Sequence, residues 1–193
     1  GFEVKWIGFW FNIPGFTLDP TQVTNEFLAA GADVVISGID TTEAIVRAGQ
    51  AAAAGESVWA IPYDFKNACA AAPEACLGVP YFNWGPSYLD VVQSVIDDEF
   101  VADWKWLPPD WDDINDPDSS AVGWVSGDAL SAEAQADLDD FIAGLGSGDI
   151  VLYRGPLNWQ DETEFLADGV EATEFEIWYA EQLLEGIVGA SAP

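Results

Sequence analysis

The chain is 193 residues long and half apolar, enough to build the core of one ordinary domain or two small lobes and too hydrophobic for disorder. Its 34 acidic residues face only 5 basic ones, a net charge of −29. That balance excludes nucleic acid and anionic lipid surfaces as partners, repels phosphorylated or carboxylated ligands, and leaves neutral or cationic small molecules.

The first predicted element is a strand over 3–11, EVKWIGFWF, which stops near Pro14-Gly15. Trp6 and Ile7 suit a buried strand, whereas Trp10, Phe11 and Asn12 stand where a chain normally leaves the core. They are either core filling or a wall that holds something. A helix over 21–30 follows, with Asp19-Pro20 as its start signal and Gly31 as its stop. ADVVISGI, 32–39, is a continuous β-branched run of the kind buried on both faces of a parallel sheet. Asp40 then opens a second helical stretch, with Glu43 three residues on in a capping arrangement. SVWAIPYD, 57–64, and LGVPYF, 77–82, read as the third and fourth strands, and SYLDVVQSVIDDEF, 87–100, as a helix.

Cys69 and Cys76 bracket CAAAPEAC. The spacing is not C-x-x-C, and without a histidine a zinc site would lack its usual ligands, so no metal is expected. The simplest reading is a short-loop disulfide formed in an oxidising compartment; the alternative is two small buried thiols.

Residues 103–120, rich in Trp, Pro and Asp, break the periodicity and read as a solvated acidic loop. They lack the central glycine and bidentate glutamate of a helix-loop-helix calcium site. Beyond them come a strand at 122–127, a helix ending in glycines near 148, a strand at 150–157, a closing helix at 174–187 and a frayed tail. The expected organisation is an α/β lobe over 1–108, a linker over 109–121, and a strand-helix segment over 122–193 that completes the fold. Strands alternating with helices predict a parallel sheet with right-handed crossovers and flanking helices. No apolar run approaches the roughly 20 residues of a membrane span. With neither an initiating Met nor a signal peptide, the chain reads as a processed or excised product.

In open parallel sheets, ligands sit beyond the carboxyl ends of the strands. Those ends here are Trp10-Phe11-Asn12, Ile39-Asp40, Tyr63-Asp64 and Phe82-Asn83-Trp84. Aromatic planes and carboxylates along one sheet edge suit a flat heterocycle bearing hydroxyl or amino groups. Asp40 serves equally well as a helix cap or a ligand contact, whereas no convincing helix follows Asp64. Trp10 and Trp84 are stacking platforms or core. Catalysis has little to stand on, because the chain has no histidine, nucleophile elbow or glycine-rich phosphate loop, and no carboxylate pair stands out among its acids. No cofactor is expected.

WIGFWFNIPGFTLDP, FLAAGADVVISGIDTTEAIVRA, AIPYDF, FNWGPSYLDVVQSV and YRGPLNWQDETEF resemble, in that order, the basic membrane protein family, over about residues 3 to 187. Its members are substrate-binding lipoproteins of ABC importers, often purine-nucleoside receptors, with a periplasmic-binding-protein type I fold. The resemblance implies an extracytoplasmic, non-catalytic receptor, lipid-anchored in its full-length form. Its ligand would be a neutral heterocycle such as a purine nucleoside or base, and its partner an ABC permease. It also implies that Trp10 stacks on the ligand, that Asp64 faces the same cleft, and that Asp40 lies on the loop between them. Such receptors have two lobes, and this chain begins where the second would begin; a missing lobe or self-association would then cover the aromatic wall. The rival expectation is a structural or assembly subunit that uses the same face as a protein interface.

Overall fold

A computed structural model of the chain describes residues 3–6, 13 and 15–191. The architecture is mixed α/β, with short strands and helices gathered into two compact units: residues 10–140, and residues 1–9 with 141–193.

The larger unit opens with helix α1, Pro20–Ala29. Asp19 caps it as its position predicts, accepting hydrogen bonds from the Thr21 N–H at 2.8 Å and the Gln22 N–H at 3.2 Å. The helix ends where Gly31 takes φ +88°, with the Ala32 N–H donating to the Phe27 carbonyl at 3.0 Å. Helix α2, Glu43–Ala53, closes in the same way at Gly55, φ +94°. Between them lies strand β2, Val34–Ile36, which pairs in parallel with β3, Trp59–Ile61. Parallel bridges from Ala60 to Cys76 and from Asp64 to Tyr81 then tie β3 to β4, Gly78–Phe82.

The core of this unit is small-residue packing. Ile45, Ala48 and Ala51 of α2 bury against Val58, Ala60, Ala72, Ala75 and Cys76. The approach is close enough that a Cβ on Gly49 would lie 2.5 Å from the Ala72 Cβ. Cys69 and Cys76 are joined in a disulfide, which pins the two 3₁₀ turns Ala68–Ala71 and Pro73–Ala75 beneath α2.

The parallel pattern ends at β4, because β5, Val122–Ser126, runs antiparallel to it. A parallel return needs a crossover helix laid on the sheet. Helix α3, Gly85–Ile96, does not do this: none of its residues is buried, and Leu89 is 71% and Ile96 70% exposed. It ends at Ile96, four residues short of the expected Phe100, and Asp98 just beyond it takes φ +58°. The acidic stretch that follows is built from repeated turns. Asp110, Asp113 and Asp116 each accept a hydrogen bond from the N–H two residues ahead, at 3.0, 2.9 and 2.8 Å. Asn83 anchors the stretch, its Nδ2 donating to the Pro117 and Ser120 carbonyls at 2.8 Å each. The division between the units falls within helix α4, Ala132–Ser147.

In the smaller unit, β1, Val4–Trp6, pairs in parallel with β8, Ile187–Gly189. β6, Leu157–Asn158, pairs antiparallel with β7, Glu164–Leu166. Two expectations fail here. The run 150–157 is mostly turn, with only Leu157 in a strand, because Gly155 closes against Val170 and Ala167 instead of pairing along a sheet. The closing helix α5 covers only Glu174–Trp178. Its start is well made, with Thr173 and Glu176 forming a reciprocal capping box. Its continuation is lost to long-range pairing: Gln160 N–H donates to Leu183 O and Glu185 N–H to Asn158 O, and the Gln160 amide holds the Ile187 and Gly189 carbonyls at 2.9 Å. Val188 and Gly189, expected in a frayed tail, are therefore strand residues. Among the described residues no helix is long and apolar enough to cross a membrane.

Candidate functional site

The site is an edge of the larger unit, where β2, β3 and β4 end. Ser37 N–H donates to the Ile61 carbonyl at 3.0 Å, extending the β2–β3 ladder by one residue. Asp40 and Asp64 each follow three residues later, at neighbouring strand ends. Asp40 had two possible roles, and the backbone removes one. The N-cap of α2 is Thr42, without a side-chain cap bond, so Asp40 is exposed and caps nothing. Nor does Glu43 complete the expected capping arrangement; its Oε2 is sealed from solvent with no hydrogen-bond partner among the described residues.

Asp64 sits in a tight turn. Its φ is +69°, and the Phe65 N–H reaches back to the Tyr63 carbonyl at 2.8 Å. That is the φ sign of the rarer γ-turn, a conformation that Asp tolerates better than most residues. The turn is fixed from both sides, since Asp64 N–H donates to Pro80 O at 3.1 Å and Phe82 N–H to Asp64 O at 3.3 Å. Strain held in place by neighbouring strands is a recurring property of ligand sites.

Two shifts of proton affinity show that these groups feel one another. The Asp64 carboxyl is pushed above its ordinary value of 3.8, first by burial and then by the negative charge of Asp40. The Tyr63 phenol is raised from 10.0 by burial, then by Asp64 and Asp40. Neither carboxylate accepts a hydrogen bond or forms an ion pair with a described residue.

Beside the carboxylates runs a ladder of rings. Tyr63 meets Phe82 edge-on with centroids 5.6 Å apart, Phe82 lies 5.5 Å from Trp84, and Trp84 stacks on Tyr88 at 5.9 Å. These spacings fall in the favourable range for aromatic pairs. The outer rings stay open, with Trp84 55% and Tyr88 63% exposed. Trp84 stands at the N-cap of α3 and Tyr88 one turn later, which is why the two rings share a helix face. The Trp84 indole is thus part of an accessible surface, and Asp40, Asp64 and Trp84 come together on one edge with Tyr63, Phe82 and Tyr88. The expected Trp10, Phe11 and Asn12 contacts lie outside the described residues. Tyr88 was hidden in the sequence inside a helical apolar stripe; the signal that exposes it is its i, i+4 spacing from Trp84. Among the described residues no group of His, Cys, Asp or Glu forms a metal-binding cluster.

No protein-family model matches the chain, and no curated protein matches it. Among solved structures, it is similar to an ABC transporter system solute-binding protein from Conexibacter woesei, with 20% identity and a TM-score of 0.42 over 68% of this chain. The match takes in 41% of that protein's length, so this chain spans about two fifths of it.

Proposed function

We propose that the chain is the ligand-binding part of an extracytoplasmic solute-binding protein of an ABC importer, and that it binds a heterocycle such as a purine nucleoside or base without transforming it. The observation that carries this reading is the open aromatic ladder Phe82–Trp84–Tyr88 beside Asp40 and Asp64, two carboxylates that pair with no described residue. The rings offer stacking faces, and the carboxylates accept hydrogen bonds from ribose hydroxyls or exocyclic amines. Trp10, Phe11 and Asn12, at the end of the first predicted strand, are proposed as further contacts. The resemblance of GADVVISGIDTTEAI and FNWGPSY to the basic membrane protein family supports the ligand class and the permease partner. The Cys69–Cys76 disulfide supports an oxidising, extracytoplasmic location.

Calorimetric titration with purine bases and nucleosides at moderate salt tests this. Saturable binding that is weakened at least about tenfold in Trp84→Ala and also weakened in Asp64→Asn, with both variants folded, is the expected result. Binding that ignores both changes would remove the site.

A second reading, an assembly surface between copies of the chain, is favoured by one observation, the wholly unburied α3 with its exposed Leu89, Val92 and Ile96. Sedimentation at high salt, where repulsion between acidic copies is screened, would reveal it as concentration-dependent dimers.

A further inference from the structure

The chain has only five Lys and Arg residues, and each has another partner than the strand-end carboxylates. Lys5 pairs with Glu3 at 3.1 Å, Lys105 with Asp90 at 2.6 Å, and Arg154 with Glu171. Arg47 donates to Asn25 at 2.7 Å and to Gln50. Lys66, two residues from Asp64, instead rests its ammonium 4.8 Å from the centre of the buried Tyr81 ring. Asp40 and Asp64 are therefore two like charges on adjacent strand ends, and none of the five Lys and Arg residues forms an ion pair with either.

A neutral ring laid over this edge would strip water from both carboxylates and leave their repulsion in place, a cost its hydrogen bonds would have to offset. A cation removes the repulsion and gains attraction to both. The exposed faces of Trp84 and Tyr88 add to this, because an aromatic face attracts a cation within about 6 Å of its centre. The net charge of −29 raises the local concentration of cations further.

We propose that the edge formed by Asp40, Asp64, Tyr63, Phe82, Trp84 and Tyr88 selects a cationic planar ligand, an aromatic or heteroaromatic ring bearing a positively charged nitrogen. This rests on the reading of the same edge as the ligand site, and it narrows that reading from heterocycles in general to charged ones. The ring stacks on Trp84 and the cationic centre faces Asp40 and Asp64.

Two isomeric nucleosides separate the possibilities: 1-methyladenosine, a cation at pH 6.5, and N6-methyladenosine, its neutral isomer. Benzyltrimethylammonium, a ring with a fixed charge and neither sugar nor hydrogen-bond donor, is the third probe. Each is titrated calorimetrically into the full chain and into the double variant Asp40→Asn/Asp64→Asn. Asparagine keeps the side-chain shape and tolerates the positive φ at position 64, and circular dichroism checks the fold of the variant. The expected result is that 1-methyladenosine binds at least tenfold tighter than N6-methyladenosine, and that the preference disappears in the double variant. The variant keeps all but two of the acidic residues, so non-specific cation attraction would survive in it.

Equal affinity for the two isomers would overturn the charge selection and leave the nucleoside site standing. A preference that persists in the double variant would also overturn it, by placing the charge effect elsewhere. Benzyltrimethylammonium binding without either nucleoside would support charge selection and remove the nucleoside from the proposed function. Failure of all three to bind would overturn both.

Discussion

The carboxylates of this chain fall into two populations that the sequence does not distinguish. Asp110, Asp113 and Asp116 of the 110–118 stretch are engaged by backbone N–H groups, and Asp110 also accepts from the Ser119 hydroxyl, which together hold its carboxyl below the ordinary range. Asp161 and Glu176 behave alike, lowered chiefly by hydrogen bonds from Thr163 and Thr173. Asp40 and Asp64 take no such partner among the described residues, and the Asp64 carboxyl moves the other way. An acidic side chain at a turn start is doing structural work; one left unpaired at a strand end beside open rings is available to a ligand. Density of negative charge, greatest near 110–118, is thus a poor guide to the proposed site.

The frame beneath the open pair should give the largest response when broken. Replacing Cys69 and Cys76 by Ser removes a short cross-link, for which chain entropy predicts a loss of about 2–3 kcal/mol. Chemical denaturation should show that loss, and ligand binding should survive wherever the chain remains folded. Next comes the ladder itself. Stacking a base on an aromatic side chain is worth about 1–3 kcal/mol, so Trp84→Ala should weaken nucleoside affinity by roughly tenfold to a hundredfold while melting changes little. Asn83→Ala probes the engaged population, because it releases the two carbonyl contacts that fasten 117–120. A stability loss of about 1 kcal/mol is expected, with the Asp40–Asp64 pair intact.

The smallest effect is the pH dependence, and its sign separates the populations. Asp64 binds its proton more tightly folded than unfolded, so its contribution to stability is greatest at low pH and falls as pH rises above 3.8. Asp110 does the opposite, contributing stability above 3.8 that is lost as pH falls through its lowered folded value. Melting curves across pH 3 to 7 should therefore show Asp64→Asn flattening the decline toward neutral pH. Asp110→Asn should instead flatten the acid-side loss. Identical profiles for the two variants would erase the distinction.

What could be read from the sequence was what local chemistry decides. Asp19-Pro20 and Gly31 fix α1 because capping involves only a few neighbouring residues. The run around Val34–Ile36 is a strand, as its β-branched residues predict, but it is shorter than 32–39 and not buried on both faces, since Ile36 is 70% exposed. Prediction failed where a distant partner decides. The 179–187 stretch has helical composition, yet its backbone is claimed by Asn158, Trp159 and Gln160. The 150–157 run is apolar enough for a strand, but its neighbours impose a turn at Gly155. The proposed site was half legible: the strand-end rule names Asp40, Asp64 and Trp84, while the freedom of Asp40 from capping depended on Thr42 taking the N-cap. Tyr63 and Phe82 stood at the same strand ends in the sequence, whereas Tyr88 joins the edge by stacking on Trp84 one helical turn away.

The most direct test of the open strand-end site is a tryptophan-fluorescence titration of the chain and of its Trp84→Phe variant with 1-methyladenosine at moderate salt. Ten tryptophans contribute to the signal, so the difference between the two proteins isolates one ring. The account predicts a saturable change in the parent chain that is largely absent from Trp84→Phe. A change of equal size in both, or none in the parent, would contradict it.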